Sequence, residues 1–298
     1  MKIPIDAVLA MLVCTSSFQV HSEGRYVPKR ASSVFCISVA TKSPDNPKAK
    51  FWCRSPKGYD GQRRKPYSVL VYFGGRNCQG KEEASGKLGW SSWSDENDVF
   101  LVCPGFQNDK YWEPEKWSGE ALFSALSTLK KKWNVDTSKI MYYGYSAGSQ
   151  ASNLFAAWRP ARCAAWVSHA CGMFHEPMAA MRRVPGLATC GDADAARYVI
   201  GRDFVERARR KGENVIWKSF PNRRHDVPEE SLLLARAFFR WRKELREDCF
   251  ATQFIGDDAD GVYYPVESPE ADFIESKDKV LLPDKFVADA WGRGILVK

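Results

Sequence analysis

The chain has 298 residues, 44% of them hydrophobic, a net charge of +8 and nine cysteines. That apolar content excludes a disordered chain, and the length suits one sizeable core rather than several domains. The basic excess is scattered in short clusters (Arg182-Arg183, Arg209-Arg210-Lys211, Arg223-Arg224) with no long stripe interleaved with aromatics, so nucleic acid is not an expected partner. A solvated surface is the simplest reading of these clusters, and attraction to an acidic polymer is the other.

Residues 1–22 have the form of an export signal. Lys2 supplies the positive start, Ala7 to Val13 an apolar run, and Val20-His21-Ser22 the residue sizes that precede a cleavage site, although Pro4 and Asp6 interrupt the pattern. The run is too short to span a bilayer. A secreted or periplasmic protein with a mature start near Glu23 is expected. Cys14 lies in this segment, and the cysteines left are even in number, which suggests disulfides in an exported chain. Cys36 and Cys53, in neighbouring strand-like runs, form the expected pair. There is no C-x-x-C pair, so zinc is not expected, and no other cofactor is implied.

Residues 33–41 and 49–55 read as strands joined by a turn at Ser43-Pro44-Asp45-Asn46-Pro47, an antiparallel hairpin at a sheet edge. Ser68 to Phe73 and Asp98 to Pro104 are continuous apolar runs, as expected of strands buried on both faces. The loop from Gly105 to Trp117 carries Phe106, Tyr111, Trp112 and Trp117. It is expected to overhang the site, where its rings either stack on a sugar or aryl group or pack the loop onto the body. Ser118 to Trp133 reads as a helix with Ser118 as its N-cap. Ile140 to Tyr143 is a strand, Ala147 to Trp158 a helix, and Ala164 to Ser168 and Gly186 to Cys190 are strands. Arg197 to Lys211 is a helix capped by Gly212. Val215 to Phe220 is a strand, and Ser231 to Arg246 a long amphipathic helix. This alternation predicts an α/β fold, with a mainly parallel central sheet, right-handed crossovers and helices on both faces. Ligands of such sheets bind beyond the carboxyl ends of the strands.

One stretch carries chemistry. Ile140 to Tyr143 runs into Gly144-Tyr145-Ser146-Ala147-Gly148, a G-x-S-x-G turn set between a strand and a helix. The turn lifts the Ser146 hydroxyl above the sheet and aims the Ala147 N–H where an oxyanion can sit. A serine nucleophile needs a base, and the base needs an orienting acid. His225 follows the last strand and leaves room for an acid before it. His169 and His175 come directly after the strand that follows the turn. His169 either lines the pocket or is simply hydrogen-bonded in a loop. Gly191-Asp192-Ala193-Asp194 offers two carboxylates after a strand; Asp194 is favoured, because three residues let its side chain turn back toward the base, and Asp192 is the alternative.

Ser146, Asp194 and His225 in that chain order, together with Gly74-Gly75 after a buried strand, resemble the α/β-hydrolase fold over residues 33–246. The layout is similar to secreted esterases of the feruloyl esterase and polyhydroxybutyrate-depolymerase type. That resemblance implies a serine esterase acting on a small-molecule or polymer-linked ester, a monomer with no cofactor and no metal. Many such enzymes carry His-Gly after the third strand, whereas this chain has Tyr72-Phe73-Gly74-Gly75-Arg76. The second oxyanion donor implied is the backbone N–H of Gly75 or Arg76, paired with Ala147, and Trp112 is the expected substrate contact. A peptidase with the same triad and a non-catalytic binding relative are the rival readings.

The domain layout expected is a signal over 1–22, a hydrolase domain over 23–250 and an extension over 251–298 lying against that body as an arm. Asp257, Asp258 and Asp260 lack the spacing of a calcium loop and read as a solvated acidic loop.

Overall fold

The computed structural model describes residues 34–108, 110–245 and 252–292. The export signal proposed for 1–22, and Cys249, lie outside them.

Eight strands form the main sheet: β1 (Val34–Ala40), β2 (Lys48–Arg54), β3 (Tyr67–Phe73), β4 (Val99–Gly105), β5 (Val135–Tyr145), β6 (Cys163–His169), β7 (Gly186–Gly191) and β8 (Val215–Phe220). Their order is β1-β2-β4-β3-β5-β6-β7-β8. The β1–β2 and β2–β4 pairs are antiparallel, and every pair from β4 through β3 to β8 is parallel. This is the α/β-hydrolase arrangement, with the expected antiparallel hairpin at one edge.

Six helices cover the sheet: α1 (Lys81–Ser85), α2 (Trp90–Glu96), α3 (Gly119–Lys132), α4 (Ala147–Trp158), α5 (Ala195–Arg210) and α6 (Glu229–Glu244). The parallel strands are apolar on both faces because both are roofed. Val69, Val71, Ile140 and Tyr142 share one core with Leu122, Leu126, Phe155 and Phe204 of α3, α4 and α5. Leu70, Tyr72, Met141 and Tyr143 face the other way, onto Trp90, Trp93, Phe238 and Phe239 of α2 and α6. The short helices α1 and α2 have no counterpart in the sequence reading. Five and seven residues barely complete the turns over which a helical period becomes legible. Ser118 does not cap α3: its hydroxyl donates to the Tyr111 carbonyl at 2.6 Å. Gly212, with φ of 81°, does follow α5 in the left-handed conformation.

The Cys36–Cys53 disulfide is overturned. Cys36 pairs with Trp52 across the strands and Cys53 with Phe35, so the two cysteines are one residue out of register. Side chains alternate between faces, and one thiol is exposed while the other is buried. All seven described cysteines are free.

The segment after α6 is a folded unit rather than an extended arm. Strands β9 (Phe254–Asp257), β10 (Val262–Pro265) and β11 (Lys279–Leu282) form a three-stranded antiparallel sheet with helices α7 (Pro269–Asp272) and α8 (Lys285–Trp291). Tyr263, Val280, Leu282, Val287 and Trp291 join the core under α6. The Trp291 Nε1–H donates to the Trp217 carbonyl at 2.7 Å. The acidic stretch is not uniformly solvated either. The Asp258 side chain is buried, accepts from Trp217 Nε1 at 2.8 Å and pairs with Arg202 at 2.8 Å. Burial raises its pKa against the opposing pull of Arg202. Among the described residues, no helix is long and apolar enough to cross a membrane.

Candidate active site

Strand β5 delivers Tyr145 to the carboxyl edge of the sheet, and α4 leaves immediately afterwards. Between them Ser146 adopts φ 55° and ψ −127°, a region that L-residues avoid. Holding a serine there costs about 1–3 kcal/mol, and the surrounding packing enforces it. Gly144 and Gly148 are required because strand, helix and the end of β3 touch. A Cβ on Gly148 would stand 2.1 Å from the Gly74 oxygen, and one on Gly144 2.0 Å from the Gly148 oxygen. The Ser146 N–H donates to the His169 carbonyl at 3.0 Å, which ties the turn to the end of β6.

The structure brings together Ser146, His225 and Asp194 from three separate loops. The Ser146 hydroxyl lies 2.9 Å from His225 Nε2. His225 Nδ1 is 2.7 Å from Asp194 Oδ2. The other oxygen of Asp194 accepts from Arg197 Nη1 at 3.0 Å, so each oxygen has its own partner and the carboxylate cannot rotate freely. Asp194 is buried while the imidazole is half open to solvent. Asp192 is used otherwise: its Oδ1 accepts from the Asn222 N–H at 2.7 Å. With Asp192 N–H to Phe220 and Ala193 N–H to Arg223, this bond fastens the acid loop to the histidine loop.

His169 lines the pocket and does more than fill it. It is 1% exposed. Its Nδ1 lies 2.8 Å from Thr189 Oγ1 and its Nε2 2.7 Å from the Asp226 carbonyl. A carbonyl can only accept, so Nε2 carries the proton and Nδ1 accepts from the threonine hydroxyl. Burial pulls the His169 pKa down from 6.5 to about 4, despite the bond to Asp226. His175 is separate, buried against Glu213 at 3.1 Å and Asn153 at 3.1 Å.

Above Ser146 lies a cavity of about 400 Å³, lined among others by Gly75, Arg76, Leu88, Tyr145, His225 and Val227. Neither the Gly75 nor the Arg76 N–H donates to a backbone carbonyl among the described residues. Ala147, as the first helical residue, has no intrahelical acceptor for its N–H. The Gly75 carbonyl accepts from Cys78 N–H at 3.2 Å and from the Tyr111 hydroxyl at 3.3 Å, which fixes the curvature of this loop. Trp112 is not among the residues lining the cavity; its ring meets Tyr111 edge-on at 5.2 Å. Phe106, Tyr111 and Trp117 are buried and pack the 105–117 loop onto the body. Tyr111, whose hydroxyl braces the Gly75 loop, carried no signal in the sequence beyond being one aromatic among four.

No protein-family model and no curated sequence matches the chain. Among solved structures it is similar to a ferulic acid esterase, at 16% identity and a TM-score of 0.58, over 71% of this chain and 97% of the other. A poly(3-hydroxybutyrate) depolymerase, LpqC from Bordetella parapertussis, superposes with a TM-score of 0.56 at 16% identity, over 70% and 89%. A thermostable esterase matches at 16% identity with a TM-score of 0.53, over 63% of this chain, which spans 55% of that structure's length. The chain has the α/β-hydrolase fold that these structures share.

Proposed function

We propose that the protein is a serine hydrolase that cleaves carboxylic esters through an acyl-enzyme on Ser146. The observation that carries this reading is the unbroken line from the Ser146 hydroxyl through His225 to a buried, doubly held Asp194. His225 takes the serine proton as the hydroxyl attacks the ester carbonyl, and Asp194 orients the ring and offsets its charge. The negative charge on the tetrahedral oxygen falls to the N–H of Ala147 and to that of Gly75 or Arg76. One such donor typically contributes about 3 kcal/mol to barrier lowering. His225 then protonates the departing alcohol, and water releases the acid by the reverse route.

Polysaccharide- or polyester-linked esters are the proposed substrates, in keeping with the names of the ferulic acid esterase and the depolymerase that share the fold. Export is proposed from residues 1–22 alone, since the free thiols remove the disulfide argument. Amino-terminal sequencing that began at Met1 would end that proposal.

The deciding experiment pairs a fluorophosphonate probe with assays on a short-chain aryl ester and a peptide anilide. One label per chain, lost in Ser146→Ala, together with turnover of the ester is the expected result. Absence of labelling returns the chain to the non-catalytic relatives, and preference for the anilide makes it a peptidase.

A further inference from the structure

The loop that follows β3 has two ends. Gly75 and Arg76 line the cavity over Ser146, whereas Gln79 and Lys81 line a second groove of about 610 Å³. This groove runs along β2 toward the end of β4, and one short loop therefore separates it from the serine.

The lining has a definite chemistry. Lys48, Lys50 and Trp52 alternate along β2 and so project from the same face of the sheet. Lys48 and Lys50 are exposed and have no carboxylate partner among the described residues. The Lys81 ammonium lies 5.4 Å from the centre of the Trp52 ring. Two carboxylates, Asp45 and Glu82, also line the groove, and Glu82 is directed to Lys87 at 3.5 Å. Arg76, at the mouth of the serine cavity, has no ion-pair partner among the described residues, so unpaired positive charge stands on both sides of the loop.

The walls are fixed before any ligand arrives. Asn46, 5% exposed, donates to the Gln107 carbonyl at 2.6 Å and accepts from the Gln107 N–H at 2.8 Å. The Gln107 side chain donates to the Cys78 carbonyl at 3.1 Å. The hairpin turn, the end of β4 and the loop over Ser146 thus form one braced rim. A preformed groove spares the ordering cost of binding.

We propose that this groove binds a segment of an acidic polysaccharide whose neighbouring ester-bearing unit occupies the cavity at Ser146. The substrate class rests on the hydrolase reading; the binding site does not. The lysines set the charge of the ligand, and the half-buried Trp52 ring beside Lys81 adds apolar surface to the lining, of the kind a sugar ring covers. An acidic polypeptide would satisfy the lysines but brings no such ring, and a neutral polyester would leave them unpaired.

Binding is measured on the Ser146→Ala protein, so that no turnover intervenes. The ligands are polygalacturonate, neutral xylan and polyaspartate, each at low and high salt. The expected result is binding to polygalacturonate about tenfold or more tighter than to the other two, weakened by salt, and reduced about tenfold in Lys48→Glu/Lys50→Glu. In the active enzyme, the same pair of changes lowers the ratio of kcat/KM on acetylated polygalacturonate to that on an aryl acetate by about tenfold. Equal affinity for xylan, equal affinity for polyaspartate, or unchanged binding in the double variant each overturns the proposal. Because binding is read without catalysis, failure of the hydrolase assay and failure of this groove are distinct outcomes.

Discussion

His169 holds the main chain of the residue after His225: its Nε2 donates to the Asp226 carbonyl at 2.7 Å, while its own carbonyl accepts the Ser146 N–H at 3.0 Å. One buried residue therefore joins the serine turn to the histidine loop. Replacing His169 by Phe removes the donor and keeps the bulk. A catalytic base displaced by a fraction of an ångström to an ångström loses about a hundredfold in rate, so kcat should fall by roughly that factor with KM little changed. His169→Gln, which keeps an N–H at a similar reach, should recover most of it. Wild-type labelling by a fluorophosphonate in His169→Phe would show that the bond positions nothing.

The same residue sets part of the acid sensitivity. Its folded pKa is lowered to about 4 from 6.5. Between these values the unfolded chain binds a proton that the folded chain refuses, so stability declines as pH falls through that window. The loss amounts to about 3 kcal/mol when complete. Denaturant unfolding at neutral and mildly acid pH should show a smaller decline in His169→Gln than in the wild type. Parallel declines would assign the acid sensitivity elsewhere.

Asp194 and Asp192 have different duties, and the difference is measurable. Asp194→Asn leaves the shape intact but removes the acceptor that selects the His225 tautomer, and kcat should fall by about 10⁴-fold. Asp192→Asn retains an oxygen for the Asn222 N–H and should stay within about tenfold of wild type. Comparable losses in the two would reopen the assignment of the acid.

The backbone at Ser146 stores strain that glycine relieves. Ser146→Gly and Ser146→Ala are both expected to be inactive, but only glycine is at ease at φ 55°. The glycine variant should be more stable than the alanine variant by about 1 kcal/mol in denaturant unfolding, after its greater unfolded-state entropy is subtracted. Equal midpoints would mean that the turn relaxes in the alanine variant.

Asp258 fastens the final sheet to β8 and α5. Its loss leaves the Trp217 Nε1–H without its acceptor and Arg202 with only Asp278 and the Lys277 carbonyl, and Asp258→Ala should cost about 2 kcal/mol. Esterase activity at low temperature should survive, since Asp258 bonds to none of the three triad residues. A melting temperature equal to wild type would remove Asp258 as an anchor.

The amino-acid sequence by itself determined the parallel core of the fold and the candidate triad. Both are written locally: a strand buried on two faces is a continuous apolar run, and a serine turn must have small residues where strand and helix meet. Chain order then narrowed the base to the late histidine. What lay beyond it was set by contacts between distant segments. Cys36 and Cys53 looked paired because each sits in a strand, yet a register one residue out puts them on opposite faces. The aromatic loop was open to two readings, a substrate platform or packing onto the body; Phe106 and Trp117 found partners in the core and Tyr111 became a brace. His169 was legible as a residue near the site, but its role depends on Asp226, fifty-seven positions away along the chain. The final sheet closes on Trp217 in the same manner. Local periodicity encodes which face of an element is apolar; only folding in three dimensions decides what that face, and each polar atom beside it, will meet.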